Sequence, residues 1–218
     1  MKIHQLLLIT SITALTIGIR AEADSPVRVA CVGDSITAGA GSTSPYPAQM
    51  QTILGSGYFV RNFGISGRTL LKEGDKPYTN EKNYEFAKGF LPNIVVIMLG
   101  SNDTKPVNWK YKDNFAAEYK ELVESFKNLE SKPRIFICRP PPVFGDGRYN
   151  ISKANMDTLL PIIDQVAQDE GATEIDLHAA LADHPETAAD GIHPNAAGDA
   201  ILAKTVADAI TAKPQPTP

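Results

Sequence analysis

The sequence of 218 residues has little cysteine, no excess of positive charge and, beyond its N-terminus, no long apolar run. Two cysteines allow one disulfide at most, and a formal net charge of −4 offers no basic patch for a nucleic-acid partner. After residue 23 no segment is long and apolar enough to span a bilayer. What is present, 43% hydrophobic and 21% charged residues, fits one globular domain with a sizeable core.

The first 23 residues differ from the rest. Lys2 and His4 precede an apolar stretch over 6–19, and Ala21-Glu22-Ala23 fits an A-x-A cleavage site. We predict a signal peptide over 1–23 and a secreted or periplasmic protein that has no stable membrane insertion after cleavage. An uncleaved membrane anchor is the alternative.

Segments typical of strands and of helices alternate along the rest of the chain. The predicted strands span 27–32, 58–63, 92–99, 134–138 and 173–177, and the predicted helices span 47–54, 115–129, 152–169 and 195–212, with a helical part near 81–88. The alternation predicts an α/β domain over 24–212, with three layers, a parallel five-stranded sheet and helices on both faces. Residues 213–218 are expected to form a disordered tail.

Small and polar residues follow the predicted strands. Ser35 comes after the first strand, within Gly33-Asp34-Ser35-Ile36-Thr37, while Gly64 and Asn102 follow the second and third strands. Because the carboxyl ends of parallel strands share one sheet edge, these residues can converge, and 190–195 can reach the same edge. A Gly-Asp-Ser motif alone is more typical of a turn or helix cap, and Asp34 is expected only to cap the turn.

These residue types fit acyl transfer. A serine hydroxyl becomes a nucleophile when a base accepts its proton, and the imidazole of His193 titrates near neutral pH. Asp190, three residues before His193, can hold the other ring nitrogen. The backbone N–H groups of Ser35 and Gly64 and the side-chain amide of Asn102 can stabilise the negative oxygen that develops.

Four motifs together resemble the SGNH hydrolase superfamily, whose members are often called GDSL esterases. They are Gly33-Asp34-Ser35-Ile36-Thr37, Asn62-Phe63-Gly64-Ile65-Ser66-Gly67, Gly100-Ser101-Asn102-Asp103 and Asp190-Gly191-Ile192-His193-Pro194, in the family's order. The chain is most similar to the short secreted carbohydrate O-acetylesterases, which remove acetyl groups from xylan, sialic acid or other sugars.

The resemblance implies a flavodoxin-like sheet with strand order 2-1-3-4-5. It also implies Ser35 as nucleophile, His193 as base and Asp190 as its partner, with an oxyanion hole made by Ser35, Gly64 and Asn102. No cofactor or metal is implied.

The two cysteines, Cys31 and Cys138, lie within predicted buried strands. Strand cysteines usually behave as small apolar residues, and the implied strand order keeps the first and fourth strands apart. We therefore expect two free thiols, although export would permit a disulfide.

Other residues are candidates for substrate contact. Arg139 directly follows the fourth predicted strand and is a candidate to bind a sugar or carboxylate, with a surface ion pair as the alternative. Tyr78 is a candidate for stacking on a sugar, as are Tyr84 and Trp109, although packing of their loop explains them equally well. The polar segment 70–90 is long enough to be functional or mobile.

We therefore predict a serine esterase that acts on small acyl esters, most simply O-acetyl groups of carbohydrates. A lipase- or thioesterase-type SGNH hydrolase acting on longer acyl chains is the first alternative, and a carbohydrate-binding protein without catalysis is the second. A metal-dependent hydrolase built on His178 and His184 is the third, but these histidines lack a regular ligand spacing.

Overall fold

Five parallel strands form the central sheet in a computed structural model that describes residues 25–145 and 148–212. The strands are β1 Val27–Gly33, β2 Tyr58–Asn62, β3 Ile94–Met98, β4 Arg134–Arg139 and β5 Thr173–Asp176. Their order is β2-β1-β3-β4-β5, which confirms the predicted topology. The predicted signal segment and tail lie outside the described residues.

Helices connect the strands. They are α1 Ser35–Ala38, α2 Tyr46–Leu54, α3 Lys82–Gly89, α4 Pro106–Trp109, α5 Phe115–Lys127, α6 Lys153–Asp169, α7 Leu177–Leu181 and α8 Ala196–Thr211. Each predicted helix is present, and its ends lie within two residues of the prediction. Asn195 caps α8, because its side-chain oxygen accepts the N–H groups of Ala197 and Gly198. In the part of the chain that the structure describes, no helix is both long and apolar enough to cross a membrane.

The sheet is covered on both faces, so its central strand is apolar throughout. All five residues of β3 are buried, as expected for a parallel strand with helices above and below it. Residues of α5 and α6 pack on one face of the sheet, and residues of α2, α7 and α8 pack on the other. An apolar core therefore lies on each face of the sheet. The strands are buried on both faces and have continuous apolar runs, whereas each helix is buried on one side and has an apolar stripe.

Strand β1 delivers the first motif to the carboxyl edge of the sheet. Its last residue, Gly33, lies opposite Met98, the last residue of β3. A side chain at Gly33 would collide with the Met98 carbonyl and with Thr37, so the close packing of α1 on the strand ends requires glycine. Asp34 caps α1, because its carboxylate accepts the Ile36 N–H at 3.0 Å, as predicted.

The polar segment after β2 is fixed by buried side chains. The Asp103 carboxylate accepts the N–H groups of Leu70 and Leu71 at 3.0 and 2.8 Å, and Asn108 accepts the N–H of Asp75. Burial raises the pKa of Asp103 to about 7, while these two N–H groups oppose the shift. Segment 70–81 is therefore held against the end of β3.

Both cysteines are free and buried. Cys31 lies in β1 and Cys138 in β4, with β3 between the two strands. The expectation of two free thiols is confirmed.

Candidate active site

A chain of hydrogen bonds joins the three residues predicted to form a triad. The Ser35 Oγ lies 2.9 Å from His193 Nε2, and His193 Nδ1 lies 2.7 Å from Asp190 Oδ2. A carboxylate only accepts, so Nδ1 carries the ring proton and Nε2 is left to accept the hydroxyl proton of Ser35. The ring is therefore held in the tautomer that a general base needs.

The loop that carries Asp190 and His193 is held at both ends. The Asp190 Oδ1 accepts the backbone N–H groups of Ile192 and His193 at 2.9 and 2.7 Å. Gly191 has a φ of 80°, and a side chain there would collide with the carbonyl of Phe144. The Phe144 N–H in turn donates to the Gly191 carbonyl at 2.8 Å. Glycine at 191 thus allows the loop after β4 to pack against the loop that carries Asp190 and His193.

Asp190 is ionised at neutral pH. Burial alone would raise the pKa of its carboxyl, but the N–H groups of His193 and Ile192, together with the His193 ring, lower the pKa to about 2. The carboxylate can therefore stabilise an imidazolium that forms when His193 takes a proton.

Asn102 is anchored by Asp34, whose role exceeds the cap predicted from sequence. The Asn102 Nδ2 donates to Asp34 Oδ2 and to the Arg68 carbonyl, each at 3.1 Å. The Asn102 carbonyl accepts the side-chain amide of Asn108 at 2.8 Å. Burial raises the pKa of Asp34 to about 6, while the Ile36 N–H opposes the shift. Asp34 thus orients the amide beside Ser35 without contacting the cavity itself.

Gly64 is not placed to donate into the site. Its N–H already donates to the Asn62 side-chain oxygen at 2.8 Å, and a side chain there would collide with the backbone of Thr37 and Ala38. Gly67, at the end of the same motif, lines the cavity and has a φ of 82°. Its N–H meets no acceptor among the described residues. The Gly64 N–H is therefore not free to act as the predicted donor in this structure, which leaves the Gly67 N–H as the candidate donor from this motif.

The triad opens into a cavity of about 440 Å³, within the range of about 300–1,000 Å³ usual for small-molecule sites. Its lining comprises Ser35, Ala40, Gly41, Ser66, Gly67, Asn102, Lys105, Tyr149, Ile151, Asp190 and His193. Three of these residues, Lys105, Tyr149 and Ile151, were not predicted from the sequence. Lys105 follows Asn102 by three residues, and Tyr149 and Ile151 follow β4, so nearness to a strand end was the available signal.

Tyr149 is held in an uncommon backbone conformation beside the triad. Its φ is 57° and that of Asn150 is 62°, both in the left-handed region that non-glycine residues rarely adopt. The ring lies edge to face with the His193 ring, with centroids 5.3 Å apart, and the residue remains 58% exposed. An aromatic surface is thus presented at the cavity.

Two predicted substrate contacts are wrong. Tyr78 is fully buried, and its hydroxyl donates to the Phe63 carbonyl at 2.9 Å, so it cannot stack on a sugar. Arg139 does not line the cavity, because its guanidinium pairs with Asp164 at 3.1 Å and Asp176 at 2.6 Å. Tyr84 and Trp109 pack against the core.

His178 and His184, the histidines of the metal alternative, have separate hydrogen-bond partners. The His178 ring contacts the Pro140 carbonyl, and the His184 ring contacts Glu186. Among the described residues no group of three or more acidic, histidine or cysteine side chains could hold a metal ion.

Comparisons with known proteins identify a family of esterases and acylhydrolases. The model of the GDSL-like Lipase/Acylhydrolase family matches residues 31–201. An acetylxylan esterase from Xylanibacter ruminicola is 40% identical over 197 residues, covering 80% of this chain and 41% of that protein. The chain thus spans about two fifths of that relative's length.

Solved structures share the fold at low identity. A putative arylesterase from Agrobacterium tumefaciens superposes with a TM-score of 0.68 at 22% identity, covering 84% of this chain and 97% of that one. A carbohydrate acetylesterase from Sinorhizobium meliloti gives 0.68 at 21% identity, with the same coverage.

Proposed function

Because the chain belongs to the GDSL-like lipase/acylhydrolase family, we propose that it is a serine esterase that removes acetyl groups from carbohydrates. The observation that carries the proposal is the hydrogen-bonded series from Asp190 through His193 to Ser35, which ends in an open cavity. A serine hydroxyl held on the acceptor nitrogen of an oriented imidazole is suited to attack an ester carbonyl.

The first half-reaction acylates Ser35. The Ser35 Oγ bonds to the ester carbonyl carbon while its proton passes to His193 Nε2, and the carbonyl oxygen becomes an oxyanion. The bond to the sugar oxygen then breaks, and His193 returns the proton to that oxygen, which releases the sugar alcohol. Asp190 stabilises the imidazolium between these two proton transfers.

The second half-reaction releases acetate. A water molecule gives a proton to His193 Nε2 and attacks the acetyl carbon through the same kind of oxyanion. The bond from that carbon to Ser35 Oγ then breaks, and the proton on His193 returns to Oγ. The products are acetic acid and the free enzyme, and no redox step or cofactor enters the balance.

Three donors are proposed to stabilise the oxyanion. They are the backbone N–H groups of Ser35 and Gly67 and the side-chain amide of Asn102, all on residues that line the cavity. The Asn102 amide shares its second hydrogen with the Arg68 carbonyl at 3.1 Å. Because the other hydrogen is held by Asp34, donation to the oxyanion requires the amide to exchange the Arg68 carbonyl for the oxyanion, which is the stronger acceptor.

We expect Asn102→Ala to lower kcat by about 10²–10³-fold, with a smaller change in KM, because the amide acts mainly on the transition state. Steady-state hydrolysis of nitrophenyl acetate measures both constants. Asp34→Asn is the companion variant. Its single side-chain oxygen replaces the two that accept from the Ile36 N–H and the Asn102 amide, so it weakens the anchor of the amide without removing the amide. It should therefore cost less than Asn102→Ala, and an equal loss in both would contradict a direct role for the amide.

The carbohydrate part of the proposal draws on two observations. The relative that is 40% identical is an acetylxylan esterase, and Tyr149 presents a largely exposed ring beside His193. Sugar rings stack on aromatic side chains through their apolar C–H faces, so Tyr149 replaces Tyr78 as the proposed stacking residue. A cavity of about 440 Å³ is of a size to hold an acetyl group and one sugar ring.

Acetate release from a substrate panel tests the function. The panel contains acetylated xylan, O-acetylated sialic acid, nitrophenyl acetate and nitrophenyl octanoate, with Ser35→Ala as the blank. Release from an acetylated saccharide at rates above those on the octanoate, lost in the variant, supports the proposal. Faster cleavage of the octanoate would instead favour a lipase- or thioesterase-type activity, and saccharide binding without any turnover would favour a binding protein.

A further inference from the structure

Lys105 introduces a cation into the cavity that the proposed reaction does not use. It lies at the start of α4, where its carbonyl accepts the N–H groups of Asn108 and Trp109 at 2.9 and 2.8 Å. Its own N–H faces the Asn102 carbonyl at 3.3 Å. The backbone of Lys105 is thus fixed to the residue that carries the proposed oxyanion amide.

The ammonium of Lys105 makes no ion pair within the described part of the chain. Among the described residues, no carboxylate lies within ion-pair distance of its Nζ, although the residue is partly buried in the cavity wall. A ligand that brings a negative group to this position would give the ammonium the charged partner that it lacks among the described residues.

The other charges at the cavity leave Lys105 as the group that can receive an anion. Among the described residues that line it, Asp190 is the one carboxylate, and both of its oxygens already accept hydrogen bonds from the His193 loop. Asp34, beneath Ser35, is 1% exposed. The net charge of −4 gives no long-range attraction for anions, so a local cation has to supply it.

From this arrangement, and resting on the proposed function, we infer that the cavity selects acetylated saccharides that carry a carboxylate near the ester. Lys105 pairs with that carboxylate while the ring of Tyr149 receives the sugar and Ser35 attacks the acetyl group. Two sources supply such a group: a hexuronic acid substituent on acetylated xylan, and the carboxylate of an O-acetylated sialic acid.

The test compares kcat/KM for an acidic substrate with kcat/KM for a neutral one. The neutral substrate is an acetylated xylo-oligosaccharide without uronic acid. The acidic substrates are the same oligosaccharide with a hexuronic acid beside the acetylated sugar, and O-acetylated sialic acid. We expect Lys105→Gln to lower the acidic-to-neutral ratio about tenfold, which corresponds to about 1.4 kcal/mol.

Two further variants separate a charge contact from a structural effect. Lys105→Arg keeps the charge and should keep most of the ratio, and Lys105→Glu should lower the ratio beyond Lys105→Gln. Lys110→Gln removes the same charge from an exposed position outside the cavity and should leave the ratio unchanged. Added salt should reduce the ratio of the unaltered protein more than that of Lys105→Gln.

The outcomes discriminate between the two proposals. The acidic substrate whose ratio depends on Lys105 identifies the source of the carboxylate. Equal ratios in the unaltered protein and Lys105→Gln, for both acidic substrates, overturn this inference and leave the esterase proposal intact. Hydrolysis of nitrophenyl acetate without acetate release from any saccharide overturns the carbohydrate proposal and this inference together.

Discussion

Replacing Ser35 with alanine is expected to lower kcat by about 10⁴–10⁶-fold on every ester that the protein hydrolyses. The variant loses the only oxygen that lies 2.9 Å from His193 Nε2 among the described residues, so no acyl-enzyme can form. The backbone N–H groups and the binding cavity persist, and KM for any residual reaction should change little. Acetate release measures the loss, and pre-steady-state release of nitrophenol from excess nitrophenyl acetate shows whether the burst of alcohol disappears.

The Ser35 variant should remain folded. Ser35 is 8% exposed, and the change to alanine leaves a small apolar side chain at the start of α1. A matched control is Ser125→Ala on α5, whose hydroxyl donates to the Leu122 carbonyl far along the chain from the four motifs. Circular dichroism and thermal unfolding should be close to those of the parent for both variants. Retention of a tenth or more of the parent's kcat by Ser35→Ala would refute the nucleophile assignment.

The second large effect is expected for Asp190→Asn, with kcat lowered by about 10⁴-fold. An asparagine at 190 presents an amide that can donate to His193 Nδ1, which favours the ring tautomer with the proton on Nε2. That tautomer cannot accept the Ser35 proton. Hydrolysis of nitrophenyl acetate over a range of pH measures the loss, which should persist at every pH at which the protein is folded.

The same variant has a signature in stability. The pKa of Asp190 is lowered from 3.8 to about 2, so its ionised form stabilises the folded chain by about 2 kcal/mol at neutral pH. This contribution is complete above the unfolded pKa and is lost as pH falls from about 4 toward 2. Urea unfolding should therefore show a difference between parent and Asp190→Asn that narrows over this acidic interval.

Asp183→Asn is the control for that measurement. Asp183 is an exposed carboxylate that, like Asp190, precedes α8 in the chain. The variant should leave both kcat and the acid dependence of stability close to those of the parent. A difference between parent and Asp190→Asn that stays constant from pH 6 to pH 2 would contradict the linkage to the Asp190 carboxylate.

The strands and the family were predictable because both depend on local signals that recur, and the strand order was implied by the family resemblance. Apolar runs and turns located the strands, and four motifs at their ends identified the family, which the family match over 31–201 confirms. Parallel strands bring their carboxyl ends to one edge, where Ser35 lies, and His193 reaches that edge from the loop before α8. The spacing of Asp190 and His193 needs only one turn of chain.

What the sequence could not supply depends on orientation within short segments. Gly64 and Gly67 belong to one motif, and the choice between them follows from the Asn62 side chain, which occupies the Gly64 N–H. Tyr78 and Tyr149 are both tyrosines after strands, but one is directed into the core and the other is held beside His193 by two positive φ values. Propensity and periodicity do not encode such directions.

The two buried thiols can be used to measure how often the sheet opens. Burial raises the pKa of Cys31 to about 12 and raises that of Cys138 as well, and the thiolate is the form that reacts with alkylating reagents. Labelling therefore requires β1 or β4 to leave the sheet, and brief exposure to such a reagent samples the rare molecules in which that has happened. The two thiols lie in β1 and β4, the two strands that flank β3. Chains labelled once in a mass spectrum report the loss of one of these strands, and chains labelled twice report the unfolding of the whole sheet, so their ratio distinguishes partial from collective opening.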